Sequence, residues 1–286
     1  MNARKVLVVG IDGVRLDLLP ALHIPHLDGV AAAGFLGRVE IDATTPTMSG
    51  PCWATVTTGV GVAKHGVWGN RFHGNRFDVF PDFTTRLAAE HGLRTLAIGG
   101  WTPMFLAREG GPMFTAPSRL SYIAPTADTP AAWEDCDENV TVEAARTLTT
   151  VPDLDAAFVY LGAVDETAHF LACGPEYRAS VETADRRLGR LLDALRERPS
   201  HGREDWTVIV VTDHGHRDEG GHGGRSEQEL TAWIAASGPD IPAGPPPVDL
   251  RHADVAAHVY AALGIAPDPH WSLDGRPFST THTALH

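Results

Sequence analysis

Cysteine is scarce. Three residues, Cys52, Cys136 and Cys173, in a chain of 286 cannot make a disulfide framework, so the fold must rest on a hydrophobic core, and the usage fits a reducing compartment. Positive charge is also short. With 23 Lys and Arg against 36 Asp and Glu the net charge is −13, which excludes the clustered cations of a nucleic-acid-binding surface. No apolar run approaches the roughly 20 residues of a membrane helix. The first strand pattern follows Met1 so closely that no room is left for a signal peptide, and a cytoplasmic protein with no membrane association is expected. Repeats and long polar linkers are missing too, and nothing in the pattern specifies an oligomeric state. The longest biased patch, residues 241–249, reads as a rigid surface turn. What remains is 43% hydrophobic, enough for one α/β domain over residues 1–286, with at most a small pocket-lining insert within 71–135.

Metal-binding side chains collect where apolar runs end. Residues 211–224, VTDHGHRDEGGHGG, follow a β-branched run and carry Asp213, His214 and His222 among glycines that let the backbone turn. Residues 5–13 form a near-continuous apolar run ending in Asp12. Residues 156–169 form another, ending in Asp165 with His169 four positions on. Such runs predict buried parallel strands, and in open parallel sheets functional groups gather beyond the carboxyl ends of the strands. Singly, Asp12 is a turn residue before Gly13 and Asp165 a helix N-cap. Turn and cap chemistry account poorly for the joint pattern.

A nucleophile candidate lies within residues 45–70. Pro51 suits a first helical turn, which makes Ser49 or Gly50 the cap of a short helix over residues 52–58, stopped by Gly59. A hydroxyl at a helix N-terminus faces free N–H groups, which favour an alkoxide and a bound phosphate. Ser49 is the first choice and Thr47 its competitor. Cys52 raises the question of a thiol nucleophile, although in such a helix it reads as a small buried hydrophobe.

Together these residues resemble the alkaline phosphatase superfamily, and most closely its nucleotide pyrophosphatase/phosphodiesterase branch. The resemblance rests on Asp12 after a strand, Ser49 with Pro51, Thr58-Gly59, His65-Gly66, Asn70, Asp165-x-x-x-His169, Asp213-His214-Gly215 and His222-Gly223, in that order. Residues 254–265 and 273–278 resemble its closing helix and tail. It implies an alkaline phosphatase-like α/β fold, a mostly parallel central sheet sandwiched by helices. It implies two divalent metal ions, one held by Asp12, Ser49, Asp213 and His214 and the other by Asp165, His169 and His222. Zinc is the family precedent, and the mixed carboxylate and imidazole donors also suit manganese. The implied chemistry is in-line displacement on a small phosphate ester or nucleotide through a phosphoseryl intermediate on Ser49, with Asn70 donating to a phosphoryl oxygen. Ser49 stands where the branch more often has Thr, and Cys52 and Trp53 replace a polar pair.

Charge refines the expectation. Two divalent ions, three Asp and an ionised Ser49 sum to about zero, which suits a singly charged diester. A monoester dianion would be better served by a further cation, for which Lys64 and Arg71 are the candidates, and a phosphomonoesterase or a phosphonate hydrolase on the same site is the alternative activity. His216 and Asp218 are candidates for orienting ligands, or else lie on a solvated loop. Residues 82–91 read as a helix and 93–100 as a strand. Within residues 101–130, rich in Pro, Gly and aromatics, Trp101, Met104, Phe105 and Tyr122 either stack on a flat leaving group or pack over the sheet. A nucleotide-binding protein without hydrolase activity is the alternative of another class. Against it, residues 6–13 lack the G-x-G-x-x-G spacing and place Asp12 where that fold needs glycine.

Overall fold

The computed structural model describes residues 2–246 and 248–278. Its centre is a seven-stranded sheet of order β2-β7-β6-β1-β5-β3-β4. The strands are β1 (Ala3–Ile11), β2 (Phe35–Glu40), β3 (Arg94–Gly99), β4 (Arg119–Tyr122), β5 (Leu154–Leu161), β6 (Glu204–Val211) and β7 (Thr231–Ser237). β4, β3, β5, β1 and β6 run parallel, whereas β7 is antiparallel to β6 and to β2. The sheet is mostly parallel and flanked by helices, as the apolar runs predict.

Those runs are continuous because the sheet is covered on both faces. Alternation along β1 sends Val6 and Val8 into one core and Leu7, Val9 and Ile11 into the other. Helices Ser49–Thr58, Phe83–His91 and Asp254–Ala262 cover the first face. Pro25–Ala33, Pro130–Thr150, Ala163–Leu171 and Pro175–Arg196 cover the second. Each fully buried aliphatic side chain contributes roughly 1.5–3 kcal/mol.

Three local readings shift. The nucleophile helix begins at Ser49, with Met48 as N-cap, so Ser49 is its first helical residue and not its cap. Asp82 caps the Phe83–His91 helix by accepting from the N–H groups of Thr84 and Thr85. The stretch 101–130 contains the short helix Thr102–Phe105 as well as β4. Met104 and Phe105 are buried in the core there, so they pack over the sheet and line no pocket.

Candidate metal centre

β1 and β6 are neighbours in register, so Asp12 and Asp213 emerge side by side just beyond their carboxyl ends. Asp12 Oδ2 accepts from Trp53 Nε1 at 2.9 Å and from Tyr160 Oη at 2.7 Å. Among the described residues its Oδ1 has no hydrogen-bond partner. Asp213 Oδ1 accepts from the Gly13 N–H at 3.1 Å, and its Oδ2 is likewise unpartnered. His214 Nε2 lies 3.1 Å from Asp213 Oδ2, 3.7 Å from Asp12 Oδ1 and 3.3 Å from Ser49 Oγ. With Nδ1 donating to the Gly215 carbonyl at 3.2 Å, the Nε2 lone pair points at this group. Trp53 reaches Asp12 because Gly10 is bare: a Cβ there would stand 2.6 Å from the indole ring.

A second group forms beyond β5. The Asp137 carboxylate accepts from the Gly162 and Ala163 N–H groups at 3.0 and 2.8 Å, fixing the start of the Ala163–Leu171 helix. That helix places Asp165 and His169 one turn apart, with His169 Nε2 3.4 Å from Asp165 Oδ2. His222 Nε2 lies 3.0 Å from His169 Nε2 and 3.6 Å from Asp165 Oδ1. Thr47 fixes His222. Its carbonyl accepts from His222 Nδ1 at 2.8 Å, while its hydroxyl donates to Gly224 O at 2.7 Å and accepts from Gly223 N at 3.1 Å.

These donors fit divalent cations. One oxygen each of Asp12, Asp165 and Asp213 is buried without a partner among the described residues, an expensive arrangement unless a cation is held there. Asp12, Asp213 and His214 form one group with donor atoms within 4.8 Å of one another, and Asp165, His169 and His222 form another. The protonation tendencies agree. Burial, then the charges of Asp213 and Asp165, push the Asp12 carboxyl up, and burial and Asp165 push Asp213 up to about 8. Burial opposes ionisation of Asp165 as well, yet His169 and His216 outweigh it and hold that carboxyl well below the usual range. Three buried carboxylates this close cannot all be charged without added positive charge.

Residues 6–268 match the model of the type I phosphodiesterase / nucleotide pyrophosphatase family. The chain belongs to that family. It is 27% identical over 227 residues to human ectonucleotide pyrophosphatase/phosphodiesterase family member 7, covering 75% of this chain and 48% of that protein. The rat protein of the same name is 26% identical over 223 residues, covering 74% and 49%. The chain thus spans about half the length of these curated relatives. Among solved structures, an inactive variant of murine ectonucleotide pyrophosphatase/phosphodiesterase 5 in complex with AMP superposes with a TM-score of 0.65 at 16% identity, over 93% of this chain and 96% of that one. A 2-O GAG sulfatase superposes with a TM-score of 0.72 at 14% identity, over 96% and 73%. These likenesses establish an alkaline phosphatase-like fold.

In this member of the family, the structure brings together all seven residues expected as ligands. Ser49 is 5% exposed and sits against His214. Asn70 accepts from the Gly50 N–H through Oδ1 at 2.9 Å, and among the described residues nothing takes its amide hydrogens. The rival nucleophiles are committed elsewhere. Thr47 Oγ1 braces the His222 loop, and Cys52 Sγ lies 3.5 Å from the Pro46 carbonyl with its thiol pushed well up by burial. Lys64 pairs with Asp274 and donates to Ser272 O at 2.6 Å, holding the tail, and Arg71 is exposed. His216 and Asp218 part company. His216 is fully buried against Asp165, while Asp218 lies at the surface and pairs with Arg15. Of the aromatic candidates, half-exposed Trp101 adjoins the site by stacking on Tyr160 at 6.4 Å. Sequence reasoning missed the roles of Trp53, Tyr160 and Asp137. A polar-tipped aromatic one residue before the end of the apolar run 156–161 was the available signal for Tyr160.

Proposed function

We propose that the chain is a two-metal phosphodiesterase or nucleotide pyrophosphatase that acts on a small phosphate diester through a phosphoseryl intermediate. The observation that carries this reading is the position of Ser49 Oγ, 3.3 Å from His214 Nε2, which itself lies 3.1 Å from the unpartnered Asp213 Oδ2 and 3.7 Å from the unpartnered Asp12 Oδ1. Asp12, Asp213, His214 and Ser49 would hold one ion, and Asp165, His169 and His222 the other. When bound, such ions supply Lewis acidity toward the serine hydroxyl and the leaving oxygen, a role for which zinc and manganese are both suited.

The rest belongs to the protein. Ser49 Oγ gives its proton to solvent and attacks phosphorus; the Oγ–P bond forms as the bond to the leaving oxygen breaks, and that oxygen departs as an alcohol on taking a proton from solvent. Water then cleaves the Oγ–P bond and returns the hydroxyl. Asn70, its carbonyl oxygen held by Gly50 N, presents its amide to a phosphoryl oxygen. Lys64 is tied to Asp274 and so is taken from the phosphate site, which supports a singly charged diester over a monoester dianion.

The test is hydrolysis of bis-p-nitrophenyl phosphate beside p-nitrophenyl phosphate by chelator-stripped protein, with zinc or manganese restored. Metal-dependent turnover favouring the diester is expected. Preference for the monoester would make the protein a phosphomonoesterase. Inactivity on both with two ions bound would direct the search to a phosphonate, and inactivity without metal uptake would favour a nucleotide-binding role.

A further inference from the structure

The pair His65-Gly66 stands in the sequence pattern with no task assigned to it. In the fold the His65 ring is fully buried, and both its nitrogens are partnered. Thr55 Oγ1, on the Ser49–Thr58 helix, gives its one hydrogen to the Pro51 carbonyl at 2.9 Å. It is therefore the acceptor for His65 Nε2, 3.1 Å away, and that nitrogen carries the ring proton. The bare Nδ1 then accepts from the Val67 N–H at 3.1 Å. Both bonds require the same tautomer. Burial holds the ring down at about 4, which keeps Nδ1 an acceptor at neutral pH.

The ring thus bridges the nucleophile helix and the chain that leads to Asn70. Gly66, at φ +74°, turns Val67 back over the ring, and a Cβ there would stand 2.7 Å from the Gly74 carbonyl oxygen. Beyond Val67 little holds the chain. Trp68 and Gly69 make no hydrogen bond among the described residues, and Trp68 is 56% exposed. The stretch comes to rest on Gly50, where a Cβ would stand 2.3 Å from Gly69 O and whose N–H donates to Asn70 Oδ1 at 2.9 Å. Residues 65–70 are therefore pinned to the helix at two places, by His65 on Thr55 and by Asn70 on Gly50. The first pin sets how the second arrives.

We propose that His65 is a positioning residue: held by Thr55 and holding Val67, it fixes the path of residues 67–70 and so the aim of the Asn70 amide at the phosphoryl oxygen. The inference rests on the role given to Asn70 above. An amide displaced by about 1 Å still admits substrate, yet meets the transition state poorly.

The experiment separates the two bonds. His65→Asn sets its carbonyl oxygen near the place of Nδ1 and has nothing at Nε2, whereas His65→Gln sets its amide nitrogen near the place of Nε2 and offers Val67 no acceptor. Each loses one buried hydrogen bond, so urea unfolding should find the two destabilised to a similar extent. Turnover of bis-p-nitrophenyl phosphate by zinc-loaded protein should tell them apart. His65→Gln is expected to lose roughly tenfold or more in kcat with little change in KM, and to keep its ions in elemental analysis. His65→Asn should stay within roughly threefold of the wild-type kcat. Asn70→Ala should lose roughly a hundredfold, and adding His65→Gln to it should cost nothing more, since the ring acts through that amide. Equal kcat in the two His65 variants, independent losses in the double variant, or failure of His65→Gln to fold would overturn the assignment. Full activity of Asn70→Ala would instead overturn the role of Asn70, and with it this extension.

Discussion

Trp53 donates its indole N–H to Asp12 Oδ2 at 2.9 Å, from a helix on one face of the sheet to the end of its central strand. Tyr160 shares that oxygen, so both lone-pair directions are taken and Oδ1 is left for an ion. Trp53→Phe removes one donor and leaves a small cavity over Gly10, where the indole ring packs. The stripped variant is expected to lose about 1–3 kcal/mol of stability in urea unfolding. One metal should bind roughly 10- to 100-fold more weakly in a zinc titration. Wild-type values in both experiments would reduce Trp53 to a space filler.

Ser49→Ala should lower turnover of the diester by at least roughly a thousandfold. Both ions should remain, because Asp12, Asp213 and His214 are untouched. Substantial activity in a metal-replete variant would remove Ser49 as nucleophile.

Thr47→Val probes the brace. The variant retains the carbonyl that accepts from His222 but loses the hydroxyl that ties down Gly223 and Gly224. Affinity for one ion is expected to fall roughly tenfold, with the other unchanged. A variant with two wild-type affinities would show that the loop holds His222 without it.

Acid should destabilise the protein through buried histidines outside the ligand set. Burial holds His65, His252 and His258 down at about 4, against an ordinary value of 6.5. Between those values the unfolded chain binds protons that the folded one refuses, so stability is intact above the ordinary value and falls as pH drops through it toward the folded one. At about pH 5 each histidine removes about 2 kcal/mol. Comparing the pH dependence of urea unfolding in wild type and in His258→Gln isolates one ring's loss from the Asp12 and Asp213 carboxyls, which the same acid stabilises, and identical pH dependences would contradict neutral burial of that ring.

Residues that act through their own chemistry were legible in the sequence. Asp12, Asp165 and Asp213 announced themselves because each interrupts or follows a run of apolar residues that had to be buried strand. The supporting residues were not. Asp137 sits mid-helix, and its role depends on Gly162 and Ala163 arriving opposite it from another element. Thr47 looked like a rival to Ser49 because a hydroxyl reads alike as nucleophile or brace until its partners are placed. His216 could not be told from a loop residue, since burial of a glycine-rich segment depends on what packs over it. The helix start at Ser49 shifted because Pro51, which has no N–H to bond, is tolerated throughout the first turn and stands here at its third position.

β1 occupies the middle of the sheet, and Val6 pairs with Ala156 on one side and Thr207 on the other. During synthesis the first strand therefore waits, both edges open, until two far later segments have emerged. Such long-range pairing makes for slow folding and lengthy exposure to chaperones or aggregation. The centre around Asp12 has no partial form, and a fragment ending before residue 204 is expected to take up no ion there. A cation that binds the finished arrangement alone acts as a latch, capturing the chain at the last step and drawing the preceding equilibria toward it.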